Sequence, residues 1–443
     1  MSSSFKRMLI VLSKFKEERR RRRKRRRHGG AMASSKSTVA RPTFHLPMEI
    51  TIEILSRLPV KSLLRFKSVC KTWYALLKTP NFVAQHAIHQ PIVDSTSLLV
   101  TNYDFETQNF AMSLLGEGFS NGPINLDFPF LNGINCFFVA GICDGLVCIN
   151  VSRLGYPLFL CNPSTRQFRE LSGAEWIGAG VDKLSFTIKG LNFGFGFHPS
   201  ANDYKLIRIV RYSTPTRENN IRADLYAMSS DTWREIDVNK VSSFFREIED
   251  FGEYSGSVKI CGSPALAVMN GVFCWPALLK ETNQVVVMSF DMGDEVFRKI
   301  RIPEGLDITE GLDITWYGDW QITQLYDKLA LVVYRGRTGF SVWVLNEKES
   351  SWTKQVNFES FPRVANTILI EEFSIEELVG LKNGKLLVTL SNDCSSALKI
   401  FAYDPKTHET KDICPGQFPN YSCVYGCAGT ILPVMLTNEV VLD

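Results

Sequence analysis

Long apolar runs are absent from this sequence of 443 residues, although hydrophobic residues make up 45% of it. A helix that crosses a bilayer needs roughly 20 consecutive apolar residues, and no run approaches that length. The short apolar run at residues 8–12 is followed by basic residues rather than by a signal-peptide cleavage site. We therefore expect neither membrane insertion nor secretion, and we expect the protein in the cytoplasm, the nucleus or both.

Metal-binding spacing is also absent. The 11 cysteines, an odd number, are scattered and lie mostly within apolar runs, which is typical of reduced intracellular proteins. No C-x2-C pair occurs, and no histidine pair follows the cysteines at zinc-finger distance. The sequence therefore predicts no metal site and no cofactor.

Catalytic motifs are lacking as well. The chain has no G-x-S-x-G nucleophile elbow and no P-loop, and the glycines from Gly194 do not continue as a dinucleotide-binding fingerprint. His198 and His408 are the only histidines after residue 98, and neither has recognisable catalytic neighbours. The sequence predicts a protein that is not an enzyme, with a hydrolase or oxidase as the alternative function.

Positive charge is concentrated in the first 41 residues, which carry fifteen Lys or Arg against two Glu. Such a run repels itself and is expected to be disordered in isolation. Its centre is Arg19, Arg20, Arg21, Arg22, Arg23, Lys24, Arg25, Arg26 and Arg27. Three interpretations stay open: a nuclear-localisation signal, an arm that binds nucleic acid, and an extension without function, since Met32 offers an alternative translation start.

The segment from Leu46 to Pro80 has the apolar spacing of three short helices. Pro47 suits a first helical position, and Pro59 ends the first helix. Residues 82–88 are expected to continue as helix. Three helices of this length have too little area to bury all their large apolar side chains, so they dock either on a partner or on the rest of their own chain.

The same segment resembles the F-box of plant proteins. Leu46-Pro47, ILSRLP from Ile54, KSLLRF from Lys61 and VCK from Val69 match that motif without a gap. The resemblance implies docking on a Skp-family adaptor and, through it, on the cullin scaffold of an SCF ubiquitin ligase. The adaptor-binding residues that it implies are Leu46, Pro47, Ile50, Ile54, Leu55, Leu58, Pro59, Leu63, Leu64, Phe66, Val69, Cys70 and Trp73.

Short β-type runs fill the chain from residue 98 onward, and a unit recurs there with a period of roughly 55 to 65 residues. Each copy has a polar turn followed by an aromatic or basic strand, and the copies begin at Asn162, Ser229, Asp291, Glu347 and Asp404. A second marker, a tight turn that leads into a buried strand, begins at Asp144, Asn270 and Asn383.

Two hairpins per repeat make a four-stranded blade. Blades of this kind close most readily into a β-propeller, which leaves no long exposed edge. We predict a small all-α F-box followed by an all-β domain, a propeller of five or six blades, with one divergent blade near residues 98–140 and a pair of β-sandwiches as the alternative. The predicted divisions are a basic tail at 1–41, an F-box at 42–90, a linker at 91–97 and the propeller at 98–443.

The second region also resembles the plant F-box-associated domain, through NPSTR from Asn162, SDTWR from Ser230 and SWTK from Ser351. The resemblance implies a kelch-like F-box protein, similar to the S-locus group of self-incompatibility and to relatives that trim immune receptors. The implied role is substrate recognition for ubiquitination and degradation, with a non-ligase scaffold as an alternative. A secreted-type ribonuclease and an immune receptor are both open as substrates.

Loops of a propeller are free of packing and carry recognition, with exposed aromatic and arginine side chains as anchors. EGLDIT from Glu304 is repeated from Glu310, which indicates a surface loop. The candidate substrate-binding residues are Tyr212, Arg217, Trp316, Tyr317 and Trp320. Packing of these tryptophans between blades is the alternative.

Overall fold

The computed structural model describes most of the chain after its basic N-terminal segment. The described residues are 47–89, 96–104, 109–115, 123–134, 137–173, 175, 186–237, 241, 244–245, 248–250, 267–269, 271–279, 282, 284–303, 306, 320–325, 328–335, 339–347, 349–358, 373–380, 385–392, 397–412, 418–419, 422–428 and 432–434. The basic run Arg19–Arg27 lies outside them, as do Leu46, Trp316 and Tyr317. No described helix is long and apolar enough to cross a bilayer.

Four helices precede the first strand in the described part of the chain. They are α1 Met48–Ser56, α2 Val60–Phe66, α3 Lys71–Leu76 and α4 Pro80–His89. Extended backbone at Pro59 separates α1 from α2, and extended Cys70 precedes α3, where its Sγ accepts a hydrogen bond from the Trp73 N–H at 3.4 Å. The three predicted F-box helices and the helical continuation are therefore present.

The helical region contains a set of buried apolar side chains, called here the helical core. Leu55, Leu63, Leu77 and Phe82 are almost fully buried. His86 is buried beside them, and its Nε2 lies 3.0 Å from the carbonyl oxygen of Leu58. This hydrogen bond joins α4 to the corner between α1 and α2.

Six sheets follow, built from strands that are mostly four to nine residues long. The strands are β1 Thr96–Asp104, β2 Asn109–Leu115, β3 Pro123–Asn125, β4 Phe138–Cys143, β5 Leu146–Asn150, β6 Leu158–Asn162, β7 Gln167–Glu170, β8 Thr187–His198, β9 Asp203–Thr214, β10 Arg217–Ala227, β11 Thr232–Glu235, β12 Ile248–Asp250, β13 Ala267–Met269, β14 Val272–Leu279, β15 Val285–Asp291, β16 Val296–Arg301, β17 Trp320–Leu325, β18 Lys328–Arg335, β19 Gly339–Asn346, β20 Ser351–Phe358, β21 Phe373–Gly380, β22 Leu386–Asn392, β23 Ala397–Asp404, β24 Glu409–Asp412, β25 Phe418–Pro419 and β26 Ser422–Ala428.

The sheets are the blades of a six-bladed β-propeller. Blade I is β26-β1-β2-β3, blade II β4-β5-β6-β7, blade III β8-β9-β10-β11, blade IV β12-β14-β15-β16 with β13 also on β14, blade V β17-β18-β19-β20, and blade VI β21-β22-β23-β24 with β25 also on β23. All neighbours pair antiparallel, and blades II to VI contact one another in order around the ring: β4 contacts β8, β13 and β14 contact both β8 and β17, and β17 contacts β21. The prediction of a propeller with five or six blades is confirmed.

Blade I is divergent because it combines the two ends of the propeller. β26 pairs with β1 over seven residues, from Thr96 opposite Ala428 to Asn102 opposite Ser422. Beyond β26, the carbonyl oxygen of Leu432 accepts a hydrogen bond from Asn162 Nδ2 at 2.8 Å in blade II. The last segment thus completes one blade and fastens itself to the next.

The five repeated polar turns join the third and fourth strands of blades II to VI. In each turn the last residue has a left-handed backbone, with φ between 50° and 59°. These residues are Arg166, Asp231, Glu295, Ser350 and His408. Asn162, Asp291 and Asp404 begin three of the turns and accept backbone N–H groups with their side-chain oxygens, which fixes the local geometry.

The left-handed residue of a turn also reaches the preceding blade. Asp231 Oδ1 lies 2.8 Å from Arg169 Nη1 of blade II, and Glu295 pairs with Arg234 of blade III. Both arginines are the third residue after the left-handed residue of their own blade. One repeated pair of positions therefore links successive blades by charge.

Candidate functional site

The predicted adaptor-binding residues divide by exposure in the structure. Leu55, Leu58 and Leu63 are buried; Ile54, Leu64, Phe66, Val69 and Trp73 are half-buried; Pro47, Ile50, Pro59 and Cys70 are exposed. Leu46 lies outside the described residues. The buried leucines belong to the helical core in this structure, and the exposed positions are the ones that a partner can reach directly.

Exposed apolar side chains lie on the first and third helices. Ile50 is 47% exposed, Met48 44% and Tyr74 42%. Scattered exposed apolar side chains are ordinary on protein surfaces, so these three mark accessible positions rather than, by themselves, an interface. Sequence reasoning included Ile50 but missed Tyr74, whose position three residues after Lys71 places it on the charged face of α3.

The helical region has two acidic residues, Glu49 and Glu53, and Glu53 pairs with the arginine that follows its own helix. Glu53 accepts a hydrogen bond from Arg57 Nε at 2.8 Å across one turn of α1. Lys78 Nζ lies 4.3 Å from the centre of the Tyr74 ring. Burial lowers the pKa of the Lys67 ammonium, and the positive charge of Lys78 lowers it further.

The propeller has two distinct ends. In an antiparallel sheet of four strands, the first and third turns lie at one end and the second turn at the other. We call these the turn end and the connection end, because the links between blades leave from the second. The chain enters β1 at Thr96, on the turn end.

The candidate substrate residues within the described part of the chain lie at the connection end. Tyr212 is near the end of β9, Arg217 begins β10, and Trp320 begins β17. The duplicated segment lies mostly outside the described residues, but Pro303 before it and Trp320 after it place its attachment points at the same end. The structure thus places the three candidates at one end of the propeller, two in blade III and one in blade V.

Blade III extends further toward the connection end than its neighbours. β8 and β9 have 12 residues each and β10 has 11, whereas β11 pairs with β10 only from Asp224 to Ala227. Tyr212 is half-buried there and packs edge-on against Phe186, with ring centres 6.4 Å apart. The long hairpin of β9 and β10 is therefore the most prominent described feature of this end.

A buried charge cluster that sequence reasoning missed supports this hairpin. Arg208 Nη2 lies 2.9 Å from Asp224 Oδ2, and Arg222 Nε lies 2.8 Å from Asp224 Oδ1. Arg208 also donates to the carbonyl oxygen of Gly155 in blade II at 3.0 Å. Burial lowers the pKa of Arg208, whereas Asp224 opposes that change. The alternation of charge within β9 and β10 was the available signal, but it does not show which residues pair.

Trp320 occupies a packed position. Its half-buried ring lies against the apolar cluster of Cys274, Val287 and Ile322 between blades IV and V. The sequence WYGDW suggests a turn that presents its aromatics outward, yet Trp320 is the first residue of a strand. Its surroundings match the interpretation in which the ring packs between blades.

The two propeller histidines have structural surroundings. His408 Nδ1 lies 2.9 Å from the Tyr403 hydroxyl within blade VI. His198 is buried at the turn end of β8, and a Cβ added to Gly293 would lie 3.3 Å from its Nε2. Burial lowers the pKa of His198, and Lys205 adds to that effect. Among the described residues, no group of three His, Cys, Asp or Glu could hold a metal ion.

Known protein families match both the helical region and the propeller. The model of the F-box domain matches residues 44–85, and the model of the F-box associated beta propeller domain matches residues 107–422. An F-box/kelch-repeat protein of Arabidopsis thaliana is 26% identical over 79% of this chain and 88% of its own. An F-box protein of the same plant is 24% identical over 87% of this chain and 91% of its own.

Among solved structures, hydrazine synthase of Kuenenia stuttgartiensis is similar with a TM-score of 0.39 and 9% identity, over 77% of this chain and 48% of that one. So distant a likeness bears on no residue of the site. The family models and the plant relatives cover both the helices and the blades. This chain therefore belongs to the plant F-box proteins that carry an F-box associated β-propeller domain.

Proposed function

We propose that this chain is the substrate-recognition subunit of an SCF-type E3 ubiquitin ligase. The observation that carries the proposal is the union, in one chain, of an F-box with exposed apolar side chains and a six-bladed propeller. The F-box docks on a Skp-family adaptor, which connects it to a cullin scaffold. The propeller binds the protein that is to be ubiquitinated and degraded.

In this role the chain is not the catalyst. Its contribution is effective concentration, since it holds lysines of the bound protein close to the loaded conjugating enzyme. Nothing in the surroundings of His198 or His408 favours the alternative of a hydrolase or oxidase. Location in the cytoplasm, the nucleus or both is part of the proposal, and a nuclear location would rest on Arg19–Arg27.

The substrate is expected to bind at the connection end, on the long hairpin that carries Tyr212 and Arg217. This end is opposite to the one at which the chain enters the propeller from the F-box. A substrate held there leaves the turn end free. Affinity purification from plant cells with the proteasome blocked, followed by mass spectrometry, identifies the bound protein and distinguishes a ribonuclease from an immune receptor.

The docking test uses exposed residues. Pro47→Ala combined with Ile50→Asp places a charge on the predicted adaptor surface, which an apolar partner surface cannot accommodate without a large desolvation cost. We expect the variant to lose co-purification with a Skp-family adaptor while its melting temperature stays unchanged. Leu58→Asp is unsuitable because Leu58 is only 7% exposed and its loss disrupts the helical core.

Ile124→Asp is the matched control, since Ile124 is 44% exposed on β3 of blade I, outside the F-box. The control should bind the adaptor as the unchanged protein does. Adaptor binding by the Pro47→Ala and Ile50→Asp variant at the level of the unchanged protein would contradict the proposed surface. Absence of binding by the unchanged protein would contradict the function itself.

A further inference from the structure

Cations of the F-box outnumber its acidic residues. Residues 47–89 contain six Lys or Arg and two Glu, and one of these, Glu53, is bound by Arg57. The other five cations are Lys61, Arg65, Lys67, Lys71 and Lys78. No ion pair holds any of the five within the part of the chain that the structure describes.

Four residues bring this charge together on and beside the third helix. Lys71, Tyr74 and Lys78 are spaced by three and four residues, so they lie along one side of α3 and the turn after it. Lys67 adds a fourth position, close enough to Lys78 for the two charges to interact. We call Lys67, Lys71, Tyr74 and Lys78 the α3 basic face.

The α3 basic face is electrostatically unfavourable when it stands alone. Lys67 is half-buried, so its charge has lost part of its hydration, and its neighbour Lys78 has the same sign. Lys78 lies over the ring of Tyr74, which leaves an exposed aromatic side chain between charges. A carboxylate brought to this place would offset the repulsion and accept hydrogen bonds from the Lys67 ammonium in place of the water that it has lost.

The propeller has a net charge opposite to that of the F-box, which would orient an acidic partner toward the F-box. Residues 90–443 contain 29 Lys or Arg and 42 Asp or Glu, so the propeller region is acidic and the F-box is the basic part of the described chain. An acidic partner is attracted to the F-box and repelled by the propeller. Fields of this kind orient partners during diffusion and speed their association.

We propose that the α3 basic face docks on an acidic surface of the protein that the F-box binds, and that this attraction sets the rate of association. The inference rests on the proposed function, in which that protein is a Skp-family adaptor. It adds a class of contact to the apolar one: carboxylates of the partner lie against Lys67, Lys71 and Lys78, with the Tyr74 ring between them.

The test measures association kinetics of the full chain with a purified Skp-family adaptor. For the unchanged protein, the association rate should fall about tenfold or more between about 0.01 M and about 1 M salt, because the Debye length shrinks from about 30 Å to about 3 Å. Lys71→Gln combined with Lys78→Gln should lower the rate at low salt by about threefold to tenfold and flatten its dependence on salt. The dissociation rate should change less.

Lys328→Gln combined with Lys411→Gln is the matched control, since both lysines are exposed and lie on the propeller, outside the F-box. This variant has the same net charge as the first but should retain the association rate of the unchanged protein. Adaptor binding that is equally fast in both variants and independent of salt overturns the inference and leaves the proposed function intact. Adaptor binding absent from the unchanged protein overturns both.

Tighter capture of single-stranded RNA than of adaptor by the unchanged protein, lost in the Lys71→Gln and Lys78→Gln variant, would also overturn the inference. In that outcome the basic face binds phosphates rather than carboxylates. Unchanged melting temperatures verify that both variants are folded, and they are expected because Lys71 and Lys78 are exposed.

Discussion

One buried histidine, His86, is expected to make the stability of the F-box helices depend on pH. His86 lies in the helical core with Nε2 3.0 Å from the Leu58 carbonyl oxygen. Burial lowers its pKa, and the hydrogen bond to Leu58 only partly opposes this. The folded helices therefore favour the neutral ring.

We predict that the F-box loses stability as the pH falls below about 6.5, the ordinary pKa of histidine. Above that pH the ring is neutral in both the folded and the unfolded chain, so it contributes no pH dependence. Below it the unfolded chain takes up a proton that the folded chain resists, which favours unfolding. Thermal unfolding followed by circular dichroism between about pH 5 and about pH 7.5 measures the effect.

His86→Gln keeps a side chain of similar polarity that does not titrate. Its melting temperature is expected to be lower at neutral pH, since the packing changes, but its decline toward pH 5 should be shallower. A decline as steep as that of the unchanged protein would assign the pH dependence to other groups.

The sequence predicted which F-box residues are apolar and helical, but not how exposed each of them is. The spacing of Ile54, Leu58 and Leu63 identified apolar helical residues correctly, yet it could not decide which of them face the core and which face outward. That decision depends on how the helices cross, and spacing within one helix carries no information about it. The packing of Trp320 could not be predicted for the same reason, because its ring lies against Cys274 and Val287, which belong to another blade.

At the scale of elements, ion pairs at equivalent turn positions connect some of the successive blades. Blades III and IV have an acid at the left-handed turn residue, Asp231 and Glu295, and each acid pairs with the arginine three residues after the left-handed residue of the preceding blade, Arg169 and Arg234. The next junction keeps the arginine, Arg298, but has Ser350 at the left-handed position. Arg298 there pairs with Asp291 and Asp294 of its own blade.

Ser350→Asp is predicted to create the missing ion pair with Arg298 and to stabilise the junction between blades IV and V. The gain is expected to be small, up to about 1 kcal/mol, because both positions are exposed to solvent. Asp tolerates the left-handed backbone well, as it does at residue 231. Chemical denaturation of the full chain measures the change in the free energy of unfolding.

Ser350→Asn has nearly the same shape without the charge and separates electrostatics from backbone preference. It should give less of the gain, and Ser350→Asp in an Arg298→Ala background should give none beyond it. A gain that persists without Arg298 would mean that the two positions are not coupled.

The turns were predictable because their signals are local. A polar run between two apolar strands, followed by an aromatic or basic residue, is complete within about ten residues, so the sequence alone located all five. The pairing of β26 with β1 has no such signal, since its partners lie more than 300 residues apart along the chain. The sequence therefore indicated a divergent first blade but not the origin of its fourth strand.

At the scale of the whole molecule, ring closure depends on the last described strand. β26 buries Val424 and Cys427 against blade I and its neighbours, and Val434 beyond it is fully buried beside blade II. Each such side chain contributes roughly 1.5 to 3 kcal/mol when it is removed from water. Removal of the segment also leaves one edge of β1 without its partner strand.

Truncation after residue 421 is predicted to destroy cooperative unfolding of the propeller and to expose an edge that promotes aggregation. Truncation after residue 434 retains β26 and Val434, and it should behave nearly as the full chain does. Tryptophan fluorescence during heating, together with size-exclusion chromatography, compares the two. A sharp unfolding transition of the shorter chain at the melting temperature of the longer one would show that the propeller does not need β26 to stay closed.

The pairing of β1 with β26 also means that blade I cannot be completed until the end of the chain has been synthesised. A ribosome that adds roughly 5 to 20 residues per second needs some tens of seconds to pass from β3 to β26. During that interval the three early strands of blade I have left the ribosome while their innermost partner does not yet exist. Nascent chains are therefore expected to need chaperone protection, and a messenger cut short before the codons of β26 yields a propeller with an open ring.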